Sequence, residues 1–130
     1  MNPVVHFELP FTDKDRVMAF YAGVFGWKLQ AFGPEMGNYI VAITAESDAQ
    51  PDGYRGAIGG GFFDAASSGE QGLEPVTNIV IGVEDIHAHV RRVRDAGGQV
   101  LGDVQTIPGI GDYAVFLDTE GTRVGMLQPA

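Results

Sequence analysis

The chain has 130 residues, 45% of them hydrophobic and 19% charged, enough apolar matter for one globular domain or for two very small modules sharing a core. It holds no cysteine, which excludes disulfide scaffolds, zinc fingers, iron–sulfur sites and thiol nucleophiles together. Seventeen acidic residues against eight basic ones give a net charge of −9, which repels phosphate backbones and excludes nucleic acid as a partner.

From the N-terminus, Met1-Asn2-Pro3-Val4-Val5-His6 lacks the basic and apolar regions of a secretory signal, so cytoplasmic residence is the expectation. Val4–Leu9 reads as a strand, with Val5, Phe7 and Leu9 on one face and Val4, His6 and Glu8 on the other. Thr12 is expected to cap a helix, answered by Asp15 in a loose capping box. Val17, Phe20, Tyr21, Val24 and Phe25 recur at helical spacing and predict one buried face, and Gly26 stops the helix. Strands follow at Trp27–Phe32, Asn38–Thr44 and Ala57–Phe63. Glu46–Gly56 reads as a surface loop and Asp64–Glu74 as a mobile connection.

The cycle then restarts. Val76–Val83 reads as a strand. Asp85 caps a helix whose buried stripe is Ile86, His89, Val90, Val93 and Ala96, and Gly97-Gly98 ends it. Arg91, Arg92 and Arg94 on this helix read as a solvated face. Strands follow near Gln99–Val104, Tyr113–Asp118 and Thr122–Gln128. No apolar run approaches the ~20 residues of a membrane span, so no membrane partner is expected.

The order is strand, helix, three strands, twice over, with modules at about 1–65 and 75–130 of a single domain. One ungapped offset carries His6 to Asn78, Phe11 to Val83, Asp13 to Asp85, Gly26 to Gly98 and Leu29 to Leu101. A slightly longer one carries Gly37-Asn38-Tyr39 to Gly111-Asp112-Tyr113, and a shorter one carries Gly56 to Gly121 and Gly60 to Gly125. Neither module buries its sheet face alone, so the two must pack together.

His6-Phe7-Glu8-Leu9-Pro10, Phe20-Tyr21 and Val24-Phe25-Gly26-Trp27 resemble the opening module of the vicinal oxygen chelate superfamily, which includes glyoxalase I, bleomycin-resistance proteins and extradiol dioxygenases. Asn78–Asp85, Ala96-Gly97-Gly98 and Asp118-Thr119-Glu120-Gly121-Thr122-Arg123 resemble its second module. The resemblance implies an α+β fold of two tandem βαβββ modules, forming a cup-shaped eight-stranded mixed sheet with helices outside and a ligand site inside. It also implies a homodimer. One scaffold serves many chemistries in this group, so the activity is not implied.

The family's metal sits on four inward positions, which by this resemblance fall on His6, Asn78, Gly60 and Gly125. Only His6 keeps a usual ligand type. Asparagine stands where the metal-binding members usually carry His or Gln, and the two glycines, at last-strand positions that usually carry Glu, offer no side chain, so no metal cofactor is expected. Glu8 shares the face of His6. The two read as a hydrogen-bonded pair in a ligand pocket rather than as metal donors, since a stable site wants three or four. Phe62 shares the face of Gly60 by parity and is placed inward. Arg123 shares the face of Gly125, where it either pairs with an acidic ligand or with Glu8, or stands at the rim in solvent. Trp27, Tyr39 and Tyr113 are not assigned a face. His89 reads as a packing residue and His87 as nearer solvent. Gly59-Gly60-Gly61 lacks the Lys-Ser/Thr and the helix of a phosphate loop, so close strand packing or room for a ligand accounts for it.

Three functions remain open. The first is a metal-independent binder of a small organic molecule in the cup, contacted by His6, Glu8, Gly60, Phe62, Asn78, Arg123 and Gly125. The second is a metal-dependent lyase or dioxygenase, and the third a metal-free enzyme with His6 and Glu8 as acid and base. They are ranked in that order. Gly26 and Gly98 are both expected in a left-handed or otherwise glycine-favoured conformation at their helix ends.

Overall fold

In the computed structural model, which describes residues 1–45, 58–70 and 74–130, the contacts divide the chain into two compact units, one of His6–Thr77 and one of Met1–Val5 together with Asn78–Ala130. The loop expected over Glu46–Gly56 lies outside the described residues.

In the first unit, strand β1 (Val4–Phe11) leads to helix α1 (Lys14–Phe25), strands β2 (Lys28–Ala31), β3 (Ile40–Ile43) and β4 (Gly60–Asp64), and a short helix α2 (Ala65–Glu70). The strand order is β2-β3-β4-β1. β4 lies parallel to β1, with Glu8 opposite Gly61 and Leu9 opposite Phe62, and the other two pairings are antiparallel. The cap of α1 is Asp13 rather than Thr12: its backbone is extended and its carboxylate accepts from the Arg16 N–H at 3.0 Å. Thr12 instead accepts from the Arg16 guanidinium at 3.2 Å. The segment expected to be irregular after Asp64 begins with α2, because the Asp64 carboxylate accepts from the Ala66 N–H at 3.0 Å and so opens a helix.

Helix α1 buries a narrower stripe than its periodicity predicts. Val17, Met18 and Tyr21 pack on a core of Phe11, Ile40, Ala42 and Phe62. Phe20, Val24 and Phe25 stay 54%, 60% and 60% exposed. The helix rests on its Val17–Tyr21 ridge, and Phe20 and Phe25 lie against the outer side of Tyr21, their ring centroids 5.2 and 6.0 Å from it.

The second unit comprises β5 (Asn78–Gly82), α3 (Ile86–Asp95), β6 (Gln99–Ile107), β7 (Gly111–Leu117) and β8 (Arg123–Pro129), with strand order β5-β8-β7-β6. β5 and β8 are parallel with Val80 opposite Gly125, while β8–β7 and β7–β6 are antiparallel. Asp85 caps α3 by accepting from the Ala88 N–H at 2.9 Å, and the Gln128 side chain accepts from the Ile86 N–H at 3.0 Å. Ile86 and Val90 fill the core with Val83, Ala114 and Met126, and Val93 packs beside them. His89 is only half-buried, with Nδ1 2.9 Å from the Asp85 carbonyl oxygen, and Ala96 is exposed. Pro3 tethers the N-terminus to this unit by accepting from the Gly82 N–H at 2.8 Å.

The two units therefore repeat one α+β plan, a four-stranded mixed set with a helix on one face. No helix among the described residues is long and apolar enough to cross a membrane.

Candidate functional site

In each unit the helix claims one face of the strands, and the candidate residues belong to the other. Phe7, Leu9 and Phe11 of β1 face α1, so alternation turns His6, Glu8 and Pro10 away from it. The same rule applied to β4 corrects two expected site residues. Phe62 is fully buried at 0% exposure, its ring 5.0 Å from Tyr21 and 6.4 Å from Trp27. It belongs to the core under α1. Gly60 shares that face, where an added Cβ would stand 2.6 Å from the Phe7 ring. The residues on the His6 face are therefore Gly61 and Phe63. The register explains the slip: Glu8 lies opposite Gly61 as Val80 lies opposite Gly125, so the repeat carries Gly61, not Gly60, onto Gly125. A shift of one residue moves every side chain to the opposite face.

His6 is half-buried, and its Nε2 lies 2.8 Å from the Tyr39 hydroxyl in a shared hydrogen bond. Burial pushes the imidazole below its ordinary pKa, and the nearby Glu8 carboxylate opposes that shift. Tyr39 is placed by a tight turn: Gly37 and Asn38 both take left-handed backbone, and Phe32 N–H donates to the Tyr39 carbonyl at 2.8 Å. A Cβ on Gly61 would collide with the Tyr39 hydroxyl and ring edge. Glycine at 61 is thus required by the tyrosine above it.

The second unit repeats the device. Tyr113 follows Gly111, whose φ is 143°, and its hydroxyl lies 2.6 Å from where a Cβ on Gly125 would stand. Val80, opposite Gly125, is 1% exposed. Asn78 and Arg123 each lie two residues before that pair and on its face, both half-buried. The Asn78 side-chain oxygen is buried and has no hydrogen-bond partner among the described residues. His87 is exposed on α3, away from these residues.

Sequence reasoning left Tyr39 and Tyr113 without a face, yet they are the residues that cover Gly61 and Gly125. The signal was the repeated Gly-Asn/Asp-Tyr triplet, in which left-handed backbone precedes a tyrosine. What the triplet does not reveal is how far the ring reaches across the sheet to a glycine on another strand.

The model of the Glyoxalase/Bleomycin resistance protein/Dioxygenase superfamily matches residues 4–126. A glyoxylase-like domain-containing protein of Didymella fabae is 32% identical over 117 residues, covering 88% of this chain and 84% of that protein. The anthracycline biosynthesis protein DnrV of Streptomyces peucetius is 27% identical over 138 aligned residues, and the match covers 95% of this chain and 48% of DnrV. The chain thus spans about half the length of that relative. Among solved structures, methylmalonyl-CoA epimerase from Mycobacterium tuberculosis superposes with a TM-score of 0.69 at 16% identity, covering 98% of this chain and 87% of that one. A hypothetical protein from Bacillus halodurans gives a TM-score of 0.69 at 18% identity, covering 99% and 95%. At these identities the structural likeness concerns the fold.

Proposed function

We propose, from the premise that this chain belongs to the Glyoxalase/Bleomycin resistance protein/Dioxygenase superfamily, that it binds a small organic molecule on the strand faces turned away from its helices, without the family's metal. The observation that carries this reading is the seating of Tyr39 over Gly61 and Tyr113 over Gly125. At the two last-strand positions where the resemblance expects carboxylates, the chain has no side chain, and a phenol from a neighbouring strand takes the place. A neutral phenol is a hydrogen-bonding group and a poor substitute for a carboxylate at a divalent ion. Asn78 adds only a neutral amide oxygen, which transition metals hold weakly. His6, already engaged with Tyr39 at 2.8 Å, and Glu8 are the remaining good donors, at most two and both from one strand, where a stable site wants three or four. Among the described residues, no group of three or more His, Cys, Asp and Glu is placed to hold a metal. The residues present do not fit the ion.

Each unit presents its own candidate contacts: His6, Glu8, Phe63 and Tyr39 on the first, and Asn78, Arg123 and Tyr113 on the second. A few polar groups on an otherwise apolar surface suit recognition of a small molecule. The chain is proposed to act as a homodimer, since Phe20, Val24 and Phe25 leave apolar surface uncovered. A metal-free acid–base enzyme is the second reading. Burial favours the neutral, proton-accepting form of His6, with Glu8 on the same strand face.

Calorimetric titration of chelator-treated protein with zinc, nickel, manganese and iron(II) tests the main reading. No stoichiometric binding below micromolar is expected. Such binding, lost in His6→Ala, overturns it. Substitution of His6 also separates the two readings: a binder loses affinity, whereas an enzyme loses turnover with binding largely kept.

A further inference from the structure

The internal repeat sets Gly59 against Arg123. Gly61 and Gly125 hold equivalent places in the two units, opposite Glu8 and Val80, and the residue two before each lies on the same face. In the second unit that residue is Arg123, a long side chain. In the first it is Gly59, which is exposed. An added Cβ there meets only the Ala42 carbonyl oxygen among the described residues, at 3.3 Å. Tyr39 covers Gly61, and the strand beside it at Gly59 is bare.

Side chains stand on both flanks of that bare stretch. Phe7 and Ala42 both lie opposite Gly60, so one step along the strands His6 and Ile43 flank Gly59 and share its face. The Thr44 hydroxyl donates to the Ile58 carbonyl at 2.7 Å, which carries the same register one residue further. Ile43 is 50% exposed and His6 half-buried. Their backbones stand about 10 Å apart, two strand spacings, and the two side chains take up part of that width. The remaining gap suits the thickness of a flat ring better than a puckered or branched skeleton. The His6 flank is itself flat. Its ring and that of Tyr39 lie within 16° of parallel, with centroids 6.5 Å apart and Nε2 2.8 Å from the hydroxyl. At that spacing the rings stand end to end rather than one over the other, and form one continuous surface.

We infer that this slot, floored by Gly59 and flanked by Ile43 and His6, takes a flat conjugated ring, so that the chain selects aromatic small molecules over saturated ones of the same skeleton. The inference rests on the small-molecule reading above and adds the chemical class of the ligand. A glycine at a strand marks a place where a ligand can approach the backbone closely. Contact between two aromatic rings adds to what burial alone contributes.

The test uses the full chain, isotopically labelled for NMR, with phenol and cyclohexanol as probes. The two share a ring size and a hydroxyl, and differ in flatness and conjugation. Phenol is expected to shift the Gly59 amide and the His6 and Tyr39 ring signals saturably, and cyclohexanol to bind about three- to tenfold more weakly. Gly59→Arg copies the second unit's side chain into the slot and should remove phenol binding. Ile43→Ala takes away one flank at an exposed position, so it should weaken phenol and narrow the preference even if the arginine variant does not fold. Equal binding of the two probes, phenol binding that both substitutions leave unchanged, or no saturable shift at Gly59 at millimolar probe overturns the inference. Equal binding at Gly59 removes the requirement for flatness and leaves small-molecule binding intact. Submicromolar metal binding lost in His6→Ala removes the wider reading instead.

Discussion

His6 gathers a strand position, a hydrogen bond and a neighbouring charge into one measurable quantity. Burial lowers its pKa from the ordinary 6.5 and Glu8 raises it, burial being the larger influence. A folded value below the unfolded one means that the histidine's contribution to stability is complete above pH 6.5 and is lost as pH falls through the folded value. NMR titration of His6 should give a midpoint below 6.5, and Glu8→Gln should lower it further by removing the opposing charge. A midpoint at or above 6.5 contradicts the burial argument. The tyrosine–glycine pairs give a second expectation at this scale. Gly61→Ala and Gly125→Ala each place a methyl in clash distance of a tyrosine hydroxyl, and overpacking of this kind costs on the order of 1–3 kcal/mol. Chemical denaturation of the double-mutant cycles with Tyr39→Ala and Tyr113→Ala should show the glycine substitution costing less once the facing tyrosine is gone. Strictly additive losses would mean that the rings do not fix these glycines.

Helix ends show how two adjacent glycines serve different purposes. Gly26 ends α1 with φ 70°, as its position after the apolar stripe predicts. After α3, however, the left-handed residue is Gly97, with φ 93°, and not Gly98. Gly98 N–H donates to the Val93 carbonyl at 2.8 Å, and a Cβ there would lie 2.7 Å from the Val93 side chain and 3.0 Å from the Leu117 carbonyl oxygen. A Cβ on Gly26 meets nothing within 4 Å. Gly26→Ala should therefore cost about 1 kcal/mol from backbone strain alone. Gly98→Val should cost more, through collision with Val93 and β7. Thermal melts of the two variants decide this, and equal losses would refute the distinction. The stripe on α1 carries a related lesson, because periodicity marks which residues can face inward and not how wide a stripe the sheet will cover. The sheet met Val17 and Tyr21 and left Phe20 and Val24 outside.

For the whole molecule, the exposed Phe20, Val24 and Phe25 motivate the expected homodimer. Light scattering at micromolar concentration should give twice the chain mass, and a monomeric mass would sink the idea. The alternation in Val4–Leu9, the Asp85 cap and the glycine stops made the βαβββ plan legible without coordinates, because each depends on residues within a few positions along the chain. His6, Asn78 and Gly125, which the resemblance singled out, and Glu8 and Arg123, which parity added, lie on the non-helical strand faces. Gly60 and Phe62 do not, because their face depends on the register of β4 against β1, and three consecutive glycines carry no alternation to fix it. The roles of Tyr39 and Tyr113 were also hidden, since each ring crosses to a glycine on another strand. Local chemistry along the chain was sufficient for the elements and their order. Register and the reach of side chains between strands are long-range quantities, and only the tertiary structure decided which glycine and which aromatic ring meet on the face of each unit turned away from its helix.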